Sequence, residues 1–258
     1  MNQVLETIEK RRSVRKYSDR PIDEKAKDEI LHATLRAPTA GNMMLYSIIE
    51  INDQTLKDRL AITCDNQPFI ATAPWVLLFL ADYQRWWDYY QVCDIRRYCE
   101  KNGLAYRTPA SGDLLLAACD ALIAAQTSVI AAESLGIGSC YIGDILENYE
   151  EHRDLLSLPQ YVIPITMLCF GYPKIKDDAP RATHRFGREY IVFQDRYHRL
   201  DKGELKKMFE PTEKLLAQAE RPPGGANNFG QQNYQRKFIA DFSIEMTRSV
   251  KAMIKNWG

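Results

Sequence analysis

The sequence predicts an α+β fold in which helices wrap a central sheet, and three observations carry that prediction. Trp75 to Ala81 is a nearly continuous apolar run, the pattern of a strand buried on both faces. Asp113 to Leu135 is the longest helical pattern and is rich in Ala and Leu nearly all round, as suits a central helix packed on several sides. Around these two, helix-like and strand-like segments alternate along the chain.

Taken in order, Val4 to Lys10 and Asp23 to Arg36 have helical periodicity. On the second, Asp23 with Lys27 and Glu24 with Asp28 place charge outward, and Pro21-Ile22-Asp23 reads as a helix start. Leu45 to Ile51 is strand-like, with Ser47 to Asn52 the strand proper, and Gln54 to Thr63 is a helix. Gly136 and Gly138 are expected to terminate the long helix. Tyr161 to Gly171, apolar and β-branched, closes the sheet, and Tyr190 to Gln194 reads as a further strand able to add to a partner's sheet. Asp201 to Ala219 is helical, Arg221-Pro-Pro-Gly-Gly-Ala-Asn-Asn breaks the pattern, and Tyr234 to Trp257 is helical again. The chain is therefore divided into a domain over residues 1–198 and a helical extension over 199–258. That extension either wraps a second subunit or packs on its own domain.

Bulk properties narrow the function classes. The 34 basic and 34 acidic residues leave zero net charge, so neither nucleic acid nor an anionic membrane is expected as a partner. The apolar runs around Pro74 to Ala81 and Leu114 to Ala125 are shorter or more interrupted than a bilayer span requires. The start, MNQVLETIEKRR, has no apolar signal-peptide core, and a cytoplasmic address is expected. The six cysteines form no CxxC pair, and the four histidines form no HxxxH or HExxH arrangement, so no metal site is expected. Most of the thiols read as buried in a reducing compartment; Cys93 and Cys99, six apart in an aromatic stretch, are the alternative of a redox pair.

The string RRSVRKY, Arg11 to Tyr17, places Arg11, Arg12, Ser13 and Arg15 directly after a helix. Guanidinium forks and a hydroxyl suit phosphate oxygens, and alternation in an extended chain sends Arg11, Ser13 and Arg15 the same way. The plain alternative is a solvated charge run at a helix C-terminus. PTAGN, Pro38 to Asn42, lies between a helix and a strand and by composition alone is a turn.

Read together with AAESLGIGSCYIGDI, Ala131 to Ile145, and in that order, these segments resemble the FMN-dependent nitroreductase family. The resemblance covers about residues 4 to 194. It implies a nitroreductase-type three-layer fold, a central and mostly antiparallel sheet flanked by helices, in a domain-exchanged homodimer. It also implies an FMN site in which Arg11 and Ser13 hold the phosphate, with Arg12 beside them among the cofactor contacts. Arg15 would sit near the ribityl chain and the N1/O2 edge, where its charge stabilises the reduced ring. Pro38, Thr39, Ala40 and Asn42 would reach the flavin from the other subunit, and Asn66 and Gln67 would read its pyrimidine edge. The backbone of Tyr141, Ile142, Gly143 and Asp144 would lie against the ring with an N–H aimed at N5. From APRATHRFGREYIVF, Ala179 to Phe193, Arg185 would return to the phosphate, with Arg181 second.

The implied reaction is ping-pong: NADH or NADPH gives a hydride to flavin N5, and a nitroaromatic, quinone or similar small electrophile takes the electrons. No side chain is assigned a catalytic role, because that chemistry is the cofactor's. The alternatives are a flavin-binding or sensing module without efficient turnover, and a flavin-dependent dehalogenase or dehydrogenase on the same fold. Gly136, Gly138 and Gly143 have a spacing close to a dinucleotide loop, but they follow a helix where such a loop follows a strand.

The chain departs from the family pattern at three places. Phe69 stands where some members carry a Lys, which leaves more of the N1/O2 edge to Arg15. Met43, Met44, Leu45 and Tyr46 replace a Gln-containing continuation and make the pocket floor more apolar. Tyr83 to Arg107 occupies the variable region that covers the site, and Trp86, Trp87, Tyr89 and Tyr90 either stack on a planar substrate or pack on the dimer partner.

Overall fold

One antiparallel sheet of four strands forms the centre, in the order β1-β2-β4-β3. The computed structural model describes residues 2–174, 185–217 and 225–258. The strands are β1 Tyr46–Glu50, β2 Trp75–Asp82, β3 Gly138–Ile142 and β4 Val162–Gly171. Every residue of β2 is buried, as its apolar run predicts. Strand period sends Trp75, Leu77 and Phe79 into one core layer and Val76, Leu78 and Leu80 into another. Strand β3 is not anticipated from sequence, because Gly138-Ser-Cys-Tyr-Ile lacks a β-branched run. It becomes a strand by pairing with β4 from Gly138↔Gly171 to Ile142↔Met167.

The helices of the first part are α1 Gln3–Lys10, α2 Glu24–Thr34, α3 Gln54–Thr63, α4 Gln84–Val92, α5 Ile95–Asn102, α6 Ser111–Ser134 and α7 Tyr149–Leu155. Side-chain caps start three of them: Asn2 accepts from Leu5 N, Asp23 from Ala26 N and Asp53 from Leu56 N. Helix α6 is long and apolar enough, by length and composition, to cross a membrane. It instead lies on the sheet, with Ala117, Ala121, Ala124, Ala125 and Ala132 buried and Leu115, Leu116, Leu122 and Ile123 exposed. The small residues let the helix axis approach the strands. Its end is set by Gly136 alone, at φ 74°, with Ile137 N donating to Ala132 O and Gly136 N to Glu133 O. Gly138, read from sequence as part of that stop, opens β3.

The chain separates into two compact units, Met1–Pro180 with Glu245–Gly258, and Arg181–Ile244. This differs from the division at residue 198. The last helix, α10 Asp241–Trp257, carries Met253 and the fully buried Trp257 into the core of the first unit, where Trp257 Nε1 donates to Ala110 O at 3.2 Å. That part of the extension packs on its own domain. The second unit holds α8 Lys202–Ala217, α9 Phe229–Asn233 and a π-helical turn Tyr234–Phe238, so the helix expected from Tyr234 begins at Asp241. Phe186, Phe209 and Phe229 pack in series, the first pair edge to face, and Glu213 caps α9 by accepting from Phe229 N at 3.0 Å. The strand expected at Tyr190 to Gln194 is absent. Its backbone donors close a turn instead, Ile191 N and Val192 N both donating to Arg188 O, with Ile191 and Val192 exposed.

Candidate functional site

Gly138 and Gly171 face each other across β3 and β4. A Cβ on Gly138 would lie 2.5 Å from Val14 Cγ2, and one on Gly171 would lie 2.5 Å from Tyr17 Cδ1. These two bare backbone positions form a lane in which Val14 to Tyr17 lies against the sheet. Val14 N donates to Ser139 O and Ser18 N to Tyr172 O, both at 2.8 Å, and Tyr17 Oη donates to Val14 O at 2.9 Å. Val14 is buried while Ser13 and Arg15 are exposed, the alternation expected of an extended segment.

The lane brings Arg11, Ser13 and Arg15 around Cys140 of β3. Burial raises the Cys140 thiol, while the nearby Arg15 and Arg11 charges and hydrogen bonds from Ser13 and Arg15 pull it down. Arg11 also faces Tyr141, whose phenol burial pushes up to about 12. Arg11 and Arg12 both face Glu133 on α6, whose carboxyl burial raises to about 7 against their pull. Among the described residues neither Arg11 nor Arg15 has a salt-bridge partner; the Arg15 guanidinium lies over the Phe69 ring, 5.8 Å from its centroid. Two guanidiniums free of salt bridges, with a hydroxyl between them, make an anion socket.

Beside it, β3 runs into open ground. A Cβ on Gly143 would meet nothing within 4 Å, so a planar group can approach the backbone there. Among the described residues Ser139 Oγ is buried without a hydrogen-bond partner. Asp65 and Asn66 are both left-handed, at φ 56° and 49°, and turn the chain after α3 toward this end. Gln67 is committed differently from expectation: its Nε2 donates to Asp144 Oδ2 at 2.6 Å and to Cys64 O at 3.0 Å. Only its amide oxygen is left to read a ligand.

The remaining predicted residues lie elsewhere. Pro38, Thr39, Ala40 and Asn42 lead into β1, the edge strand opposite β3, so one chain does not join them to the Arg11 socket. Their loop is held by buried Asp120 of α6, which accepts from Ala40 N at 3.0 Å and Leu45 N at 3.1 Å, while Thr39 Oγ1 accepts from Met44 N at 3.0 Å. Gly41, Asn42 and Met44 are left-handed. The aromatic helix α4 is tied to the same loop: Trp86 Nε1 donates to Met43 O at 2.8 Å and Arg85 reaches Met44 O at 3.2 Å and Ser47 Oγ at 2.7 Å. Arg185 is an exposed residue of the second unit, and Arg181 lies outside the described residues.

Three site residues escape the sequence reading. Cys140 and Glu133 show themselves only once the strand and the helix end are placed. Glu147 had a local signal, an acid three residues after Asp144 that a 3-10 turn brings alongside.

The chain matches the model of the nitroreductase family over residues 8–172. It is 33% identical over 207 residues to an NAD(P)H FMN reductase of Bacillus subtilis, covering 80% of this chain and 78% of that one. It is 31% identical over 210 residues to an oxygen-insensitive NADPH nitroreductase of Salmonella typhimurium, covering 81% of each. Among solved structures, NfrA2 of B. megaterium superposes with a TM-score of 0.77 at 27% identity, covering 100% of this chain and 98% of the other. With the family model spanning more than half of the chain, and the Arg11 to Arg15 segment and β3 inside the match, the chain belongs to the nitroreductase family.

Proposed function

We propose that the chain is an FMN-dependent oxidoreductase that takes electrons from NADH or NADPH and gives them, in ping-pong order, to a nitroaromatic, quinone or similar small electrophile. The observation that carries this reading is the anion socket: Arg11 and Arg15 without a salt bridge among the described residues, Ser13 between them, and bare Gly143 beyond. The names of its relatives, built on FMN and NAD(P)H, support it. Bound FMN would supply the redox chemistry itself.

The residues present fit that cofactor. Arg11 and Ser13 would hold the phosphate, with Arg12 as a further basic contact. Arg15, stacked near Phe69, would keep a positive charge at the N1/O2 edge. Buried and unpartnered Ser139 Oγ is a polar atom a ligand would satisfy. The backbone of Tyr141 to Gly143 would flank the ring, and Gln67 would accept from its N3–H with the amide oxygen that Asp144 leaves free.

Residues 38–42 stand at the opposite sheet edge, so they would reach the flavin from a second subunit, and the working form would be a homodimer. Because α4 is bonded to this loop, Trp86, Trp87, Tyr89 and Tyr90 would accompany it as the cover of that shared site. The enzyme would act in the cytoplasm.

The deciding measurement is the visible absorption spectrum of the purified protein, followed by anaerobic addition of NADH and then NADPH. A flavin spectrum that bleaches, and returns on adding a nitroaromatic or quinone, is expected. No flavin, even after incubation with FMN, would sink the reading; a flavin that neither nucleotide bleaches would favour a binding or sensing module. The double variant Arg11→Ala with Ser13→Ala is expected to be colourless, and full FMN occupancy in it would remove the phosphate assignment.

A further inference from the structure

Asp144 and Glu147 stand at either end of the 3-10 turn that follows β3, at a spacing that puts both on one side. Glu147 is only 5% exposed, its carboxyl faces that of Asp144, and among the described residues its buried Oε1 has no hydrogen-bond partner. Gln67 Nε2, at 2.6 Å, fixes Asp144 Oδ2 as an acceptor.

The other charged groups facing Glu147 are also acidic. Asp65 comes from the turn after α3 and Glu245 from α10. Cys64 lies close, with its thiol pushed up by burial and by both Asp144 and Glu147. His152 on α7, whose pKa burial lowers, spends its two ring nitrogens on Ile145 O and Thr63 Oγ1. The nearby cation Arg248 is committed to Glu150 and Glu245. A buried carboxylate ringed by carboxylates is costly, and a turn that sets two carboxyls side by side favours one proton between them. Burial first, then Asp144 and Asp65, raise Glu147 to about 8.

We propose that Asp144 and Glu147 hold one shared proton, and that this pair, immediately beyond Gly143, sets the charge at the ring-facing end of the site. The coupling to a ring rests on the FMN reading above; the shared proton does not. Glu147 is here a positioning residue: its proton holds Asp144 in place and limits the pair to a single negative charge.

The test compares denaturant unfolding of the full chain from pH 5 to 9, as wild type and as Glu147→Gln, which keeps a donor but cannot ionise. The folded value lies above the ordinary 4.5. The shared proton's contribution is therefore complete below about pH 4.5 and is lost as pH rises to about 8. Across that window the folding constant of wild type relative to the variant is expected to fall by up to about tenfold per pH unit, and to level off above it. Parallel profiles overturn the pair. Should Glu147→Gln fail to fold, Asp144→Asn carries the test: without its nearest carboxylate Glu147 ionises earlier, and the window is expected to close at lower pH. An unchanged window overturns the proposal.

With FMN bound, the midpoint potential of wild type is expected to turn more negative than that of Glu147→Gln as pH rises through about 8, because a second negative charge there opposes reduction. Potentials that run parallel overturn the coupling to the ring. A chain that binds no FMN overturns that coupling together with the flavin reading, while the unfolding profiles still decide the pair.

Discussion

At the scale of single residues, the site depends on side chains that are missing as much as on those present. Gly138→Ala would set a Cβ 2.5 Å from Val14 Cγ2. It is expected to destabilise by about 1–3 kcal/mol in urea unfolding and to lower FMN occupancy by shifting Arg11 to Arg15. Combined with Val14→Ala, the loss should be less than additive, since the contacting methyl is gone. Nothing local in the sequence shows this role for Gly138, which reads naturally as a helix stop; its reason is a close approach by a distant segment. The grouping of Arg11, Ser13 and Arg15 was legible because alternation in an extended segment sends the three one way. Gln67 was half legible: its amide was visible, but not that Asp144 and Cys64 take both of its donors.

At the scale of elements, the loop at residues 38–42 is held by one carboxylate. Asp120→Ala would leave Ala40 N and Leu45 N without their acceptor, and a loss of about 2–4 kcal/mol is expected in urea unfolding. Asp120→Asn, which keeps one acceptor oxygen, should lose less. Helices α1, α2 and α6 were legible through periodicity, the Pro21-Ile22-Asp23 start and a glycine stop, and α3 lies at Gln54–Thr63 as expected. Strand β3 was not, because five residues containing Gly, Ser and Cys become a strand only through pairing with β4. Conversely, Tyr190 to Gln194 has strand composition, yet turn bonds to Arg188 take up its donors. Local propensity yields to whichever backbone partner is available.

At the scale of the whole molecule, the last helix closes on the core of the first unit through Trp257. Trp257→Ala is expected to cost about 3–5 kcal/mol, measured by denaturant unfolding, because a fully buried indole and its bond to Ala110 O are both lost. The sequence left the final helix open between a dimer arm and a self-packed helix; only long-range contacts could decide for Glu245–Gly258. Acid sensitivity is a second global property. Buried His152 bridges Ile145 O and Thr63 Oγ1, and burial holds it below its ordinary 6.5. Its contribution is thus present above about pH 6.5 and lost as pH falls below that value toward its folded pKa. Wild type should therefore lose stability faster than His152→Gln on acidification, as read by thermal unfolding between pH 7 and 5.

The bonds from Trp86 and Arg85 to Met43, Met44 and Ser47 make the aromatic helix and the 38–44 loop one mechanical body. In the proposed dimer, a cover hinged this way would not lift without tugging on the loop that would grip the neighbouring subunit's cofactor. Admission of an acceptor and retention of the flavin would then be a single adjustable quantity, so selection for a bulkier substrate at α4 would be felt first as a looser hold on FMN.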